Sequence, residues 1–181
     1  MEADFILQVV EKCKSGDINS FEKLITMHYR LLHRYVACRV GDASEVDDVL
    51  QEILLLAWLN IGKLNSPYAL KAWLIRIAAN CCNKWYKARS GSDDPTGYEE
   101  LTSLIDRRQC IHDEGDDKEQ LLTALDKLPQ KQRRTIEEFY FENLKISEIA
   151  FVHNLPEGTV KRRLHDGRLG LKKNWREIKH E

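Results

Sequence analysis

Lys161, Arg162, Arg163, His165 and Arg168 crowd into eight consecutive positions, directly after the stretch LPEGTV. Cations at this density meet phosphate oxygens, and an arginine that presents its planar fork to a base edge can also read it. This is binding chemistry, in which no bond is made or broken. The groups a catalyst would need are not gathered in the same way. His28, His33 and the vicinal Cys81 and Cys82 share no metal-ligand spacing. There is no nucleophile motif and no glycine-rich phosphate loop. The chain reads as a protein without catalytic residues, metal or cofactor.

The cations need a rigid element beneath them, and the segment KISEIAFVHNLPEGTVKRRLHDGRLGL specifies one. Ile149, Ala150 and Val152 suit close contact on a short helix from about Ser147 to His153. Asn154 stands where the chain needs a left-handed turn residue, a conformation Asn tolerates better than most. Pro156 suits the first turn of a second helix, from Glu157 to about Lys173. Val160, Leu164 and Leu171 then mark its buried side, which leaves Glu157, Lys161, Arg162, His165 and Asp166 outward. A short helix, a tight turn and a helix with outward cations form the helix-turn-helix that lays its second helix in a DNA major groove. Lys161 and Arg162 would meet base edges or phosphates, while Arg163, Arg168, Lys172 and Lys173 would track the backbone. A charge run alone is more often a solvated face; here turn chemistry, apolar register and cation placement agree.

The rest of the chain repeats the helical period, and no segment alternates at period two, so the fold class is all-α. Phe5, Val9 and Lys12 open a first helix that Gly16 can end. Asp17 can cap a second, with Phe21, Leu24, Ile25, His28, Leu31, Leu32 and Tyr35 at spacings of three and four, ending near Gly41. A third, from about Ser44, carries Val46, Val49, Leu50, Ile53, Leu56 and Ala57 on one side. Asp47, Asp48, Gln51 and Glu52 form an acidic stripe on another. Pro67 interrupts the pattern before a fourth helix, KAWLIRIAANCCNKWYKAR. Helices resume at Lys118, with Leu121, Leu122, Leu125 and Leu128 facing one way. Ile136, Phe139 and Tyr140 are expected inward on a helix from Gln132 to Phe141.

Charge divides the chain in the same places. Residues 1–90 carry 12 Lys and Arg against 10 Asp and Glu, residues 91–119 carry 3 against 10, and residues 120–181 carry 13 against 9. The implied organisation is two small helical domains, 1–90 and 118–181, joined by a flexible acidic linker at 91–117 with only a weak apolar cluster at Leu101, Leu104 and Ile105. No apolar run is long enough to cross a bilayer and the N-terminus lacks a signal-peptide pattern, so a cytoplasmic protein with no membrane insertion of its own is expected. The five cysteines, without a C-x-x-C pair, are expected to be reduced structural thiols.

LPEGTVKRRL resembles the DNA-reading core of bacterial RNA polymerase sigma factors, specifically the extracytoplasmic-function (ECF) group of the sigma-70 family. A second match lies in the first block. SGDINSFEKLITMHYRLLHRYVACRVGDASEVDDVLQEILLLAW and the later AWLIRIAANCCNKWYKAR are similar to the family's conserved core, including Asp48, Gln51 and Glu52 and the run Trp73 to Ala78. The matches cover most of residues 15–90 and 118–175, in the family's order.

The resemblance implies an alternative sigma factor whose partners are core RNA polymerase, promoter DNA and an anti-sigma factor. In that family the third helix packs on the polymerase clamp. Asp47, Asp48, Gln51 and Glu52 would meet that basic surface, with Leu55 exposed beside them, a placement that a merely solvated face does not explain. The loop from Asn60 to Lys71 and the next helix would capture the minus-ten element. Asn65 and Ser66 would bond a flipped base, and Arg76, Asn80, Asn83, Lys84, Lys87 and Arg89 would face phosphates. Trp85 and Tyr86 could stack on bases, although at least one of them should pack in the core. The minus-thirty-five reader would use Glu157, Thr159, Lys161, Arg162, Arg163, His165 and Arg168. Lys145 stands in place of the usual Ser or Thr cap, so the first reader helix is expected to start at Ser147. Asn154 replaces the turn glycine, Asp166 a frequent arginine, Arg162 a small residue, and Ala79 and Asn83 a common arginine and aspartate. The alternative is an autonomous helix-turn-helix regulator, which would dimerise on a two-fold operator.

Overall fold

Gly16 and Asp17 show how the sequence punctuates the first helices. Helix α1 (Glu2–Lys14) stops where Gly16 takes φ +91°, and α2 (Ile18–Val40) starts where Asp17 accepts hydrogen bonds from the Asn19 amide at 3.0 Å and the Ser20 hydroxyl at 2.6 Å. These bonds satisfy donors that the helix cannot satisfy itself, and they hold the Asp17 carboxyl below its ordinary pKa, the Ser20 hydroxyl contributing most. Asp42 does the same for α3 (Ala43–Asn60), accepting from the Ser44 amide at 2.9 Å. Two short 3-10 turns, Ile61–Lys63 and Pro67–Ala69, lead into α4 (Leu70–Ser90).

This computed structural model describes residues 2–40, 42–90 and 116–180, and every regular element among them is helical. The chain divides into two units, Met1–Asp93 and Asp94–Glu181. Linker residues 91–115, with Leu101, Leu104, Ile105 and Cys110, lie outside the described residues, as does Gly41.

In the first unit, α2, α3 and α4 pack on one another and α1 closes against α2. Leu32, Tyr35, Ile53, Ala57, Leu74, Ile75 and Ala78 make its core. Arg39, the one buried cation among its described residues, lies 3.5 Å over the Tyr35 ring and donates to the Tyr35 carbonyl at 2.9 Å. Cys13, Cys81 and Cys82 are free and buried as expected. Cys38 is disulfide-bonded, which corrects the expectation of five reduced thiols. It is half-buried on α2.

The second unit is built from α5 (Asp116–Asp126), α6 (Gln130–Tyr140), α7 (Ile146–His153) and α8 (Glu157–His180). Helix α5 begins two residues before the expected Lys118. Ala124, Leu125, Ile136, Leu144, Ile149, Val160 and Leu164 are buried together. Tyr140 corrects the expected register. It is 52% exposed although it stands one turn beyond buried Ile136, because it is the last residue of α6 and its hydroxyl reaches out to accept from Arg168 Nε at 2.9 Å.

Helix α8 runs to His180 rather than ending near Lys173. Two glycines inside it, which weaken a helix locally, here permit close packing. A Cβ on Gly167 would lie 3.0 Å from Ile136 Cγ1, and one on Gly170 would lie 2.6 Å from Leu128 Cδ2. Beyond them the Asn174 side-chain amide donates to the Ala124 carbonyl at 2.9 Å, so the last turns stay docked on α5.

Candidate nucleic-acid interface

The turn between α7 and α8 has the expected geometry. Asn154 is left-handed, with φ 53° and ψ 50°, and the Leu155 amide returns to the Ala150 carbonyl at 2.9 Å. This satisfies carbonyls at the end of α7 and swings α8 across the unit. Helix α7 begins at Ile146, not Ser147, because Glu148 accepts a hydrogen bond from the Lys145 amide at 2.7 Å. A lysine side chain has no acceptor, so the glutamate supplies the cap that Lys145 lacks. Pro156 closes the first turn of α8, accepting from the Thr159 amide at 2.9 Å.

Glu157, Lys161, Arg162, His165 and Asp166 are exposed together on the outer face of α8, while Thr159 and Arg163 are half-buried. Lys161 lies 3.9 Å from Glu157. Arg168 is exposed but steered: its Nε donates to the Tyr140 hydroxyl at 2.9 Å, and its guanidinium lies 5.5 Å from the ring centres of both Phe139 and Tyr140. The outward Tyr140 therefore orients an exposed cation of α8.

Beneath this face lies a feature that the sequence reading missed. Glu138 is 0% exposed, and His153 Nε2 stands 2.8 and 2.7 Å from its two carboxylate oxygens, with Arg134 Nε at 3.5 Å. His153 is the last residue of α7, next to Asn154, so the pair ties α6 to the turn that aims α8. The available signal was weak: Glu138 falls between Thr135 and Glu142 on the buried side of α6 and the segment after it, where an apolar residue would be expected.

The first unit carries two further faces. On α3, Asp47, Asp48 and Gln51 are exposed, and Leu55 at 57% and Leu59 at 65% extend the face with apolar area; Leu59 was not anticipated. Glu52 does not belong to this stripe alone. It is half-buried and its carboxylate lies 2.7 Å from Lys84 Nζ on α4, which raises the lysine's pKa through the hydrogen bond and the charge. Arg89 of α4 pairs with Glu45 of α3 in the same sense. The two predicted surfaces are thus stitched together along their shared edge.

On α4, Asn80, Asn83, Lys84 and Lys87 are exposed on one side, and Arg76 is half-buried beside them. Tyr86 is buried, which removes it as a base-stacking residue, while Trp85 is half-buried under Arg89 at 5.2 Å. In the loop, Asn65 is exposed and Ser66 half-buried. Next to them Tyr68 is 69% exposed, an aromatic that the sequence reading passed over. Its signal was its place in a proline-led turn, outside any apolar register. Cys81 lies between these faces, and burial first, then Glu52 and Cys82, push its thiol up to about 12.

A helix-turn-helix unit with an outward cationic face, preceded by a helical unit with an acidic face and an amide-bearing cationic face, defines a DNA-reading protein of bipartite build. The sequence comparisons give its family. Residues 24–91 match sigma-70 region 2 and residues 118–171 match sigma-70 region 4. The chain is 27% identical to the ECF RNA polymerase sigma factor SigW of Bacillus subtilis over 183 residues, covering 93% of this chain and 96% of the relative. It is 31% identical to the ECF RNA polymerase sigma factor SigL of Mycobacterium tuberculosis over 146 residues, covering 76% of this chain and 78% of the relative. The fold is similar to that of CnrH in complex with the cytosolic domain of CnrY, with a TM-score of 0.66, 22% identity and coverage of 94% and 96%. It is also similar to the sigma factor RpoE in complex with the anti-sigma factor NepR from Bartonella quintana, with a TM-score of 0.62, 18% identity and coverage of 88% and 98%. The chain belongs to the sigma-70 family, in its ECF group, and is an alternative sigma factor.

Proposed function

We propose that the first unit binds core RNA polymerase through Asp47, Asp48, Gln51, Leu55 and Leu59, and captures the opened minus-ten element between its loop and α4. The second unit reads the minus-thirty-five element through the outer face of α8. The protein acts in the cytoplasm and catalyses nothing itself. It places polymerase on a promoter and stabilises the separated strand. The observation that carries this is the outward cationic face of α8 on a turn held by left-handed Asn154, in a chain whose other unit exposes acids beside leucines. Those two surfaces suit a polyanion and a basic, partly apolar protein surface respectively.

Within the minus-ten pocket, Tyr68 takes the stacking role, and Asn65 and Ser66 bond the edge of the captured base. An anti-sigma protein would inhibit by covering the same surfaces, and the two similar folds were both solved in complexes, one with an anti-sigma factor. No described helix is long and apolar enough to cross a membrane.

The test is run-off transcription by core RNA polymerase on genomic fragments, with and without the protein. Initiation from discrete sites only in its presence is the expected outcome. Sequence-specific DNA binding without core-dependent starts would return the chain to an autonomous regulator.

A further inference from the structure

Helix α8 is longer than a major groove can use, and its sequence does not stop being basic where the reader ends. From Lys161 the spacings of four, three, four, four and three reach His165, Arg168, Lys172, Arg176 and Lys179. At 3.6 residues per turn these six positions share one narrow face over a rise of about 27 Å. All six are exposed. The acids within this part of α8 fall elsewhere: Asp166 and Glu177 lie on the flank, and Glu177 is 3.9 Å from Lys173, outside the stripe. A solvated surface ordinarily mixes its signs. Here one face presents cations without interruption.

The far half of the stripe is also rigidly mounted. Opposite Lys172 and Arg176, Gly170 packs on Leu128 and Asn174 bonds Ala124, while Lys179 lies 5.0 Å from the centre of the half-buried Trp175 ring. The last turns are therefore a fixed extension of the unit, and their cations are spaced about 5 to 6 Å apart along the axis.

We propose that Lys172, Arg176 and Lys179 form a second DNA-binding segment, which grips the phosphates of duplex flanking the box that the front of α8 reads. This rests on the promoter-reading function proposed above. A straight helix seated in the groove by its N-terminal turns must leave it as the groove curves away, and its later turns then cross the phosphate backbone. Contacts of this kind carry no sequence information. They add affinity that is uniform over sequences and steeply dependent on salt.

The test is fluorescence anisotropy of the full chain on two duplexes, a promoter fragment mapped by run-off and a shuffled sequence of equal length, between about 50 and 200 mM salt. Lys172→Ala/Arg176→Ala/Lys179→Ala should weaken both duplexes by the same factor and lower the slope of log K against log salt by about 2.5 to 3. Arg176→Gln alone should lower it by about 0.9. Alanine is a good helix former at exposed positions, and circular dichroism checks that the helix is retained. An unchanged slope in a folded variant overturns the proposal. So does an unchanged slope with weakened binding to core polymerase, which would make the stripe a protein interface. The slope is read on DNA without polymerase, so a failure of core-dependent initiation would sink the sigma-factor function while leaving this measurement intact.

Discussion

The two units solve the placement of charge in opposite ways. In the first, the cationic face of α4 and the acidic face of α3 are joined by Glu52–Lys84 and Glu45–Arg89, and among the described residues the interior is apolar apart from Ser20 and Arg39. In the second, Lys161 and Lys173 keep exposed acid neighbours, Glu157 and Glu177, at 3.9 Å along α8 itself, while Glu138 and Glu142 are buried with Arg133. The first unit thus keeps both signs at its surface, paired along one seam. The second unit holds charges in its core, where they must be paired. The second unit should accordingly be the more fragile to single changes inside, and the first the more tolerant at its ion-paired seam.

The comparison breaks most visibly at Glu138. Glu138→Ala removes the carboxylate that meets His153 and Arg134, and should cost about 3 to 5 kcal/mol in a denaturant melt of the second unit. Glu138→Leu with His153→Leu should recover most of that loss, since well-packed apolar residues commonly replace a buried hydrogen-bonded polar pair without cost. A single variant as stable as the parent would show that the pair does not hold the turn.

Function should separate along the same line. Lys161→Ala with Arg162→Ala should reduce promoter-dependent transcription by about tenfold to a hundredfold, at roughly 1 to 3 kcal/mol for a base-reading contact, with core binding unchanged. Asp47→Lys with Asp48→Lys should lower core affinity first, measured by pull-down or anisotropy. Equal loss of both activities in either variant would deny the division of labour. Glu52 is a poor choice for this experiment, because reversing it would also disturb Lys84.

A smaller effect sharpens the packing side. Gly170→Ala gains helix propensity worth about 1 kcal/mol, but its Cβ would lie 2.6 Å from Leu128 Cδ2, and relieving such an overlap costs about 1 to 3 kcal/mol. A net loss of up to about 2 kcal/mol is expected. Gly158→Ala meets nothing within 4 Å and should be neutral or stabilising by thermal melt. If both behave alike, α8 does not rely on the close approach.

The smallest effect is that of the caps. Asp17 and Asp42 have pKa values lowered in the fold, by Ser20 and Ser44 first. A depressed carboxyl contributes stability that is present above its ordinary value of 3.8 and is lost as pH falls through the folded value. Asp17→Asn should flatten the acid limb of the first unit's stability curve below about pH 4, and an unchanged limb would remove this cap from the account.

The sequence by itself determined what local chemistry can express. Gly16, Asp17, Asn154 and Pro156 end and begin helices through their own backbone preferences. The period of Val160 and Leu164 turns the cations of α8 outward, and the ordered pair of motifs was enough to name the family. Tertiary structure alone decided what depends on partners far along the chain. Glu52 meets Lys84 from 32 residues away, Tyr140 turns outward to hold Arg168 from 28, and Glu138 is buried because His153 arrives from 15. Gly167 and Gly170 of α8 gain their role only once Ile136 and Leu128 are placed against them. Helical periodicity states which face of each helix is apolar, but only the packing of helices on one another decides which polar group is drawn inside and which aromatic is left at the surface.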